Sequence, residues 1–172
     1  MLTRFRDVIR PSEPQLEQMD LRKLLTSVEE QNRDRLQMEG VRLSIELPEQ
    51  SVILMGDEHF LSDVFAELIK NAREAMALEP IDKRRITIQV NRNRTRKSRA
   101  RIDVVNPGQG VPNELKRRIF EPFHHGHGKG ESRGLGLAII RESIEAHGGT
   151  IEETGMPGRN ACFSIRLPVI SN

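Results

Sequence analysis

A chain of 172 residues, 36% hydrophobic and 30% charged, has the size of one ordinary domain with a core of its own. No apolar run nears the ~18 residues of a membrane span, and the start Met1-Leu-Thr-Arg-Phe-Arg lacks the apolar centre of a signal peptide, so a cytoplasmic chain is expected. A net charge of +2 gives no strong overall field, and the single cysteine, Cys162, permits no internal disulfide and is expected to be buried.

In chain order, residues 2–9 have the spacing of a helix tail and Pro11-Ser-Glu-Pro14 breaks it, which places a boundary near residue 14. Asp20 is placed to cap a helix over 21–39, carried by Leu21, Leu24, Leu25, Val28 and Leu36 and ended by Gly40. Strands are expected over 41–47 and 52–55. Asp57 then caps a second helix whose apolar stripe is Leu61, Val64, Phe65, Leu68, Ala72, Ala75 and Met76. Beside that stripe Glu67, Asn71 and Glu74 follow at i, i+4 and i+7 and share a face. An asparagine disfavours a helix interior relative to alanine, because its amide competes for backbone hydrogen bonds, so Asn71 asks for a functional reason.

Strands over 85–90 and 100–105 follow, joined by a run at 91–101 that holds six Lys/Arg. Basic runs of this kind suit nucleic acid, but no aromatic is interleaved, so a solvated hairpin is favoured and no nucleic-acid partner is expected. A short helix over 112–120 leads into a loop at 121–133 rich in glycine and histidine. His124, His125 and His127 lack helical spacing and a fourth ligand, which argues against a zinc site. A helix over 134–147, ended by Gly148-Gly149, and strands near 150–154 and 162–167 complete a pattern of helices laid on one face of a mixed sheet.

Two glycine-rich segments stand out beside Asn71. Val-Asn-Pro-Gly-Gln-Gly-Val-Pro at 105–112 follows a strand, and Ser-Arg-Gly-Leu-Gly-Leu-Ala-Ile-Ile at 132–140 opens a helix. Glycines spaced G-x-G let a backbone approach a ligand and take positive φ, and a helix N-terminus offers free N–H groups to phosphate. Neither the dinucleotide fingerprint nor the Walker pattern fits, so a nucleotide here would be held by another scheme.

Asn71 on a helix, the 105–112 turn, Phe-Glu-Pro-Phe at 120–123, the 132–140 turn and the ending Phe-Ser-Ile-Arg-Leu-Pro at 163–168 occur in an order that resembles the ATP-binding catalytic domain of sensor histidine kinases. That family lies within the superfamily of gyrase, heat-shock chaperone and mismatch-repair ATPases. The resemblance implies an α+β, two-layer sandwich, the Bergerat ATP-binding fold, with a mixed, mostly antiparallel sheet of about five strands covered on one face by three helices. It implies that 15–172 is the catalytic domain and 1–14 a stub of a preceding helical dimerisation domain or a linker. ATP and Mg2+ are the implied ligands.

Residue by residue, Asn71 resembles the magnesium-binding asparagine, and Glu67 the position of a carboxylate or amide near the metal, acting through water, or of a catalytic base. Lys70 and Glu74 flank the metal position, Glu74 where a basic phosphate contact is common; Arg73 beside them is either a phosphate contact or part of a solvated face. Asn106, Gly108, Gly110 and Val111 resemble the adenine-binding turn, with Asn106 where the family carries aspartate; an amide oxygen still accepts a hydrogen bond from the adenine amino group. Phe120 and Phe123 resemble the apolar anchor of the ATP-covering loop, Phe123 beside the nucleotide. Lys129, Arg133, Gly134, Leu135, Gly136 and Leu137 resemble the phosphate-binding segment, although Ser132 replaces its first glycine, and Asn160 stands where a glycine commonly precedes the last strand.

The implied function is donation of the ATP γ-phosphate to a histidine on a dimerisation domain, for passage to a response regulator. None of the five histidines has the acceptor's setting, so the chain alone should bind ATP without phosphorylating itself. The full-length protein is expected to be a homodimer and the chain, without membrane contact of its own, to be cytoplasmic or the cytoplasmic part of a membrane sensor. An ATPase or protein-serine kinase of the same superfamily, with Glu67 as base, and a degenerate docking module are the alternatives.

Overall fold

The computed structural model of the protein describes residues 13–93, 99–124 and 134–170. Seven strands and three α-helices alternate among these residues: β1 Glu17–Asp20, α1 Leu21–Met38, β2 Arg42–Glu46, β3 Ile53–Gly56, α2 Glu58–Ala75, β4 Arg85–Asn93, β5 Arg99–Pro107, α3 Gly136–Ala146, β6 Thr150–Glu153 and β7 Asn160–Pro168.

Both long helices begin where a carboxylate replaces a missing backbone acceptor. Asp20 accepts from Arg22 N–H at 2.9 Å, and Asp57 accepts from His59 and Phe60 N–H at 3.1 and 3.3 Å. Gly40, at φ 65, ends the first. Burial of Asp57 opposes its ionisation, yet the backbone N–H groups of Gln15, Phe60 and His59 outweigh that and hold its carboxyl below the ordinary range.

The main sheet has the order β2-β4-β5-β7-β6; β2 and β4 run parallel and the other neighbours antiparallel. Alternation sets its faces. Ile86, Ile88, Ile102, Val104, Phe163 and Ile165 are buried with the apolar stripes of the helices, giving the α+β sandwich expected. The opposite face carries polar partners such as Arg101, whose Nε donates to Asp103 at 2.9 Å and to Ser164 at 3.2 Å. Cys162 is only half-buried there, and burial pushes its thiol pKa up, which disfavours the nucleophilic thiolate.

Three sequence expectations need correction. β1 was not foreseen: it forms a second, two-stranded sheet with β3, Glu17 facing Gly56 and Asp20 facing Ile53. The helix expected over 112–120 is a set of turns with one 3-10 turn, Arg118–Phe120. Nine residues are too few to hold a helix unaided, and Lys116 is held instead by Glu153 at 3.0 Å and by the Gly155 carbonyl. Ala75, assigned to the apolar stripe, is exposed. Residues 1–12, including most of the expected stub, and the basic tip at 94–98 lie outside the described residues.

Candidate functional site

Helix α2 is the spine of the site. Its stripe of Leu61, Val64, Phe65, Leu68 and Ala72 is buried in the core, which fixes the rotation of the helix. Glu67, Asn71 and Ala75 then recur at i, i+4 and i+8 along one flank.

The two glycine turns meet that flank at its ends. A β-carbon on Gly136, the first residue of α3, would lie 2.5 Å from Glu67 Oε1; one on Gly108 would have the Ala75 carbonyl as its nearest neighbour, at 3.6 Å. Eight residues of helix separate these contacts, about 12 Å at 1.5 Å per residue. Partly buried Asn71 lies midway. Gly108, Asn71 and Gly136 therefore follow one another along α2. Glu74 is exposed at the last turn of the helix.

The glycines divide by what they face. Gly108, at φ 134, requires glycine for its backbone, and among the described residues only the Ala75 carbonyl would come within 4 Å of a β-carbon there. Gly110 faces protein, since a β-carbon there would lie 2.3 Å from the Asn160 carbonyl oxygen. A β-carbon on Gly134 would lie 3.0 Å from the Phe123 backbone, and the Gly134 carbonyl accepts from Phe123 N–H at 3.0 Å. Leu135 caps α3 without a side-chain hydrogen bond, so the first N–H groups of that helix have no side-chain acceptor from the cap. Val111 and Leu137 are partly buried against the core.

At the other end Asn106 is 2% exposed, at the end of β5 opposite Ala161 on β7. Its Nδ2 donates to the Pro107 carbonyl at 2.9 Å. Phe120 is buried and meets Phe163 edge-on at 6.2 Å; Phe123 is 55% exposed at φ 62. Lys129 and Arg133, with His125 and His127, lie outside the described residues.

Among the described residues no group of three His, Cys, Asp or Glu forms a metal cage. The available donors are the Asn71 amide and the Glu67 carboxylate one turn before it. That sparse, hard-oxygen set fits magnesium, which keeps several waters and takes other ligands from phosphate.

Residues 56–171 match the family described as histidine kinase-, DNA gyrase B-, and HSP90-like ATPase. The chain belongs to that family. It is 27% identical over 163 residues to the sensor histidine kinase ZraS of Klebsiella oxytoca, covering 95% of this chain and 34% of that protein. It is 30% identical over 152 residues to the adaptive-response sensory kinase SasA of Crocosphaera subtropica, covering 87% of this chain and 38% of that one. The nucleotide-free catalytic domain of histidine kinase ThkA superposes with a TM-score of 0.73 at 25% identity, over 90% of this chain and 97% of that domain. Full-length ShkA in complex with AMPPNP has the same fold, with a TM-score of 0.77 at 24% identity over 95% of this chain and 33% of that one.

The chain thus spans little more than a third of ZraS and SasA, and it is the histidine kinase type of catalytic domain within the family. These relatives favour that type over the ATPase, serine-kinase and docking alternatives. No helix among the described residues is long and apolar enough to cross a membrane.

Several charged residues of this kinase-type domain have partners that the sequence did not disclose. Arg73, weighed as a phosphate contact, is committed elsewhere: its Nε and Nη2 grip the Glu39 carboxylate at 2.7 and 2.5 Å, tying α2 to the end of α1. That guanidinium holds the Glu39 carboxyl below its ordinary range. Lys70 lies 3.4 Å from Glu67 Oε1. His147, buried, lies with Nδ1 2.6 Å from the Ser143 carbonyl and accepts the Asp57 N–H at 3.0 Å through Nε2; the pattern requires a neutral ring with the proton on Nδ1. It joins the end of α3 to the start of α2, so the two helices that border the site share a hydrogen-bonded corner.

Proposed function

We propose that this chain binds Mg–ATP along α2 and presents the γ-phosphate to a histidine on a helical dimerisation domain, from which a response regulator takes it. The observation that carries the reading is the pair of contacts on one helix, Gly136 against Glu67 and Gly108 against Ala75, with Asn71 between them.

In this arrangement the base lies at Asn106, Gly108 and Val111, with Gly110 holding the turn against the Asn160 carbonyl, and the phosphates run toward Gly134, Leu135, Gly136 and Leu137. The uncapped N–H groups at the start of α3 and its dipole receive the negative charge. Lys129 and Arg133 contribute cations to the phosphates, and Phe123 flanks the nucleotide. Lys70 turns from Glu67 to phosphate when the ligand enters; Glu74 stays at the rim.

Asn71 Oδ1 and, through water, Glu67 would hold magnesium, which would supply charge neutralisation at the phosphates. Phosphoryl transfer depends on positioning and charge neutralisation more than on covalent help from the protein. The γ-phosphorus exchanges its bond to the β–γ bridging oxygen for one to an imidazole nitrogen, and ADP leaves.

The acceptor must approach at the Glu67–Gly136 end. There an apolar groove of about 330 Å³ opens between α2 and α3, lined by Phe60, Val64, Ile139 and Ile140. Residues 1–14 are read as a stub of a helical dimerisation domain or a linker, and the full protein as a homodimer, with the chain cytoplasmic or forming the cytoplasmic part of a membrane sensor.

Calorimetry with an ATP analogue tests the reading. The unmodified chain should bind with magnesium-dependent affinity, and Asn71→Ala should lose that dependence by tenfold or more while melting as before. Equal binding by the variant with and without magnesium removes the metal assignment. The absence of heat up to millimolar nucleotide removes the function.

A further inference from the structure

The outer face of the sheet, away from the helices, holds a cavity of about 310 Å³ where the start of β4, the end of β5 and the start of β7 come together. Alternation puts Arg85 and Thr87 of β4, Val105 and Pro107 of β5 and Asn160 of β7 along it, while Ile86, Val104, Asn106 and Ala161 between them are buried on the other side. Thr87 is paired with Val105 and Pro107 with Asn160, so Arg85 and Arg159, which begins no strand but directly precedes β7, border one space from neighbouring strand ends.

The charge of this cavity sets it apart. The groove between α2 and α3 is bordered by Asp63 and Glu67, the one beside β2 by Glu46 and Glu49, and the one beside β1 by Glu17, Asp57 and Glu58. Here two arginines meet and no carboxylate lines the wall. Nearby arginines are already engaged: Arg84 with the Glu39, Ala77 and Glu79 carbonyls, Arg101 with Asp103, and Arg166 with Glu152. Arg85 and Arg159 are both exposed, and neither side chain has an ion pair or hydrogen bond among the described residues. Two guanidiniums beside one void repel each other, and a bound dianion turns that repulsion into two charge-assisted forks. Neutral donors stand with them. Thr87 has its hydroxyl, and Asn160 Oδ1 accepts from Met156 N–H at 2.7 Å, so the amide NH2 is what that side chain has left to offer. Val105 and Met156 add apolar wall, and the volume is at the lower end of the ~300–1,000 Å³ of small-molecule sites.

The same residues hold the 108–110 turn. Gly108 N–H donates to the Arg159 carbonyl at 3.3 Å, and Gly158 N–H to the Gln109 carbonyl at 2.7 Å. Arg159 and Asn160 N–H both donate to the Met156 carbonyl, at 3.0 and 3.1 Å, and a β-carbon on Gly110 would lie 2.3 Å from the Asn160 carbonyl oxygen. Residues 156–160 therefore line the cavity with their side chains and hold the turn with their backbone. We propose that the cavity bordered by Arg85, Thr87, Arg159 and Asn160 binds a small dianion with a short carbon body, a dicarboxylate or a phosphate monoester, and that its occupancy steadies the 108–110 turn. The anion site stands apart from the nucleotide reading above; its coupling to nucleotide rests on that reading. A ligand that orders the turn in advance lowers what nucleotide must spend to order it, and the effect is reciprocal.

The test is an NMR titration of the whole chain at constant ionic strength, saturated with Mg–AMPPNP so that the phosphate positions are filled. Succinate and glycerol phosphate are the probes and acetate the monoanion control. Backbone N–H signals of Thr87, Arg159 and Asn160 should move saturably with at least one dianion, at least about tenfold more tightly than with acetate, and the tighter dianion names the ligand class. Arg85→Gln and Arg159→Gln should each weaken that binding about tenfold while melting as the unmodified protein does. A dianion no better than acetate, or binding indifferent to both substitutions, overturns the site. If a variant melts early, the comparison of dianion with acetate on the unmodified protein decides alone. A hexaglutamate peptide that binds at least about tenfold more tightly than either probe overturns the small-molecule assignment in favour of an acidic protein segment. For the coupling, saturating dianion should tighten AMPPNP by about threefold or more in calorimetry of the unmodified protein and not of Arg85→Gln. Competition for the phosphate positions would weaken AMPPNP instead, and that result, or no change, overturns the coupling. If AMPPNP does not bind at all, the nucleotide reading fails, while the same dianion titration without nucleotide still decides the anion site.

Discussion

Replacing Gly136 by alanine should separate stability from nucleotide binding. Gly136 opens α3 without a left-handed φ, so alanine fits the backbone. It lowers the entropy of the unfolded chain, worth about 0.4–1 kcal/mol toward stability. Against this, the new β-carbon would sit 2.5 Å from Glu67 Oε1, where ordinary contact begins near 3.4 Å. The carboxylate ends a flexible side chain and must withdraw by about 1 Å, loosening its pair with Lys70. That pair is 41% exposed on the lysine side and contributes at most about 1 kcal/mol. The net change in stability should stay within about 1 kcal/mol, or a shift of about 2–4 °C in Tm. Nucleotide binding should suffer more, because the methyl and the displaced carboxylate both intrude on the phosphate end. We expect Mg–AMPPNP affinity to fall at least tenfold, about 1.4 kcal/mol, measured by calorimetry beside a thermal melt. Gly110→Ala is the converse control: at φ 64 and 2.3 Å from a backbone carbonyl it should lose more than about 2 kcal/mol of stability in urea. A Gly136→Ala protein that binds nucleotide normally refutes the placement of phosphate between α2 and α3.

Lys116→Met should destabilise the domain by about 3–5 kcal/mol, because it strands a fully buried Glu153 carboxylate; adding Glu153→Gln should recover part of the loss in denaturant titrations. Glu39 has a depressed carboxyl pKa in the folded state, so it contributes stability above its ordinary value of 4.5, and that contribution disappears as pH falls through the lower folded value. Glu39→Gln should therefore flatten the acid limb of a stability–pH curve without altering stability differences between pH 7 and 8.

The local geometry around the candidate site was legible because its signals are local. The caps Asp20 and Asp57, the flank of Glu67 and Asn71, and the glycine turns follow from residues a few positions apart. What escaped depends on distant partners. Glu17–Asp20 has no alternation and is a strand only because β3 lies beside it. The 112–120 segment carries helical spacing at Leu115 and Ile119, but the pull of Glu153, far along the chain, outweighs it. Arg73 reads as either a phosphate contact or part of a solvated face until α1 brings Glu39 to it. Gly110 has the sequence setting of a ligand glycine, yet its close neighbour is the Asn160 carbonyl.

The most direct measurement is a crystal structure of this chain with Mg–AMPPNP. The account places the base at Asn106 and Gly108, the metal on Asn71 Oδ1, and the terminal phosphate between Glu67 and the start of α3. Nucleotide bound on the outer sheet face, or lying in the cleft with its phosphates toward Gly108, would contradict it.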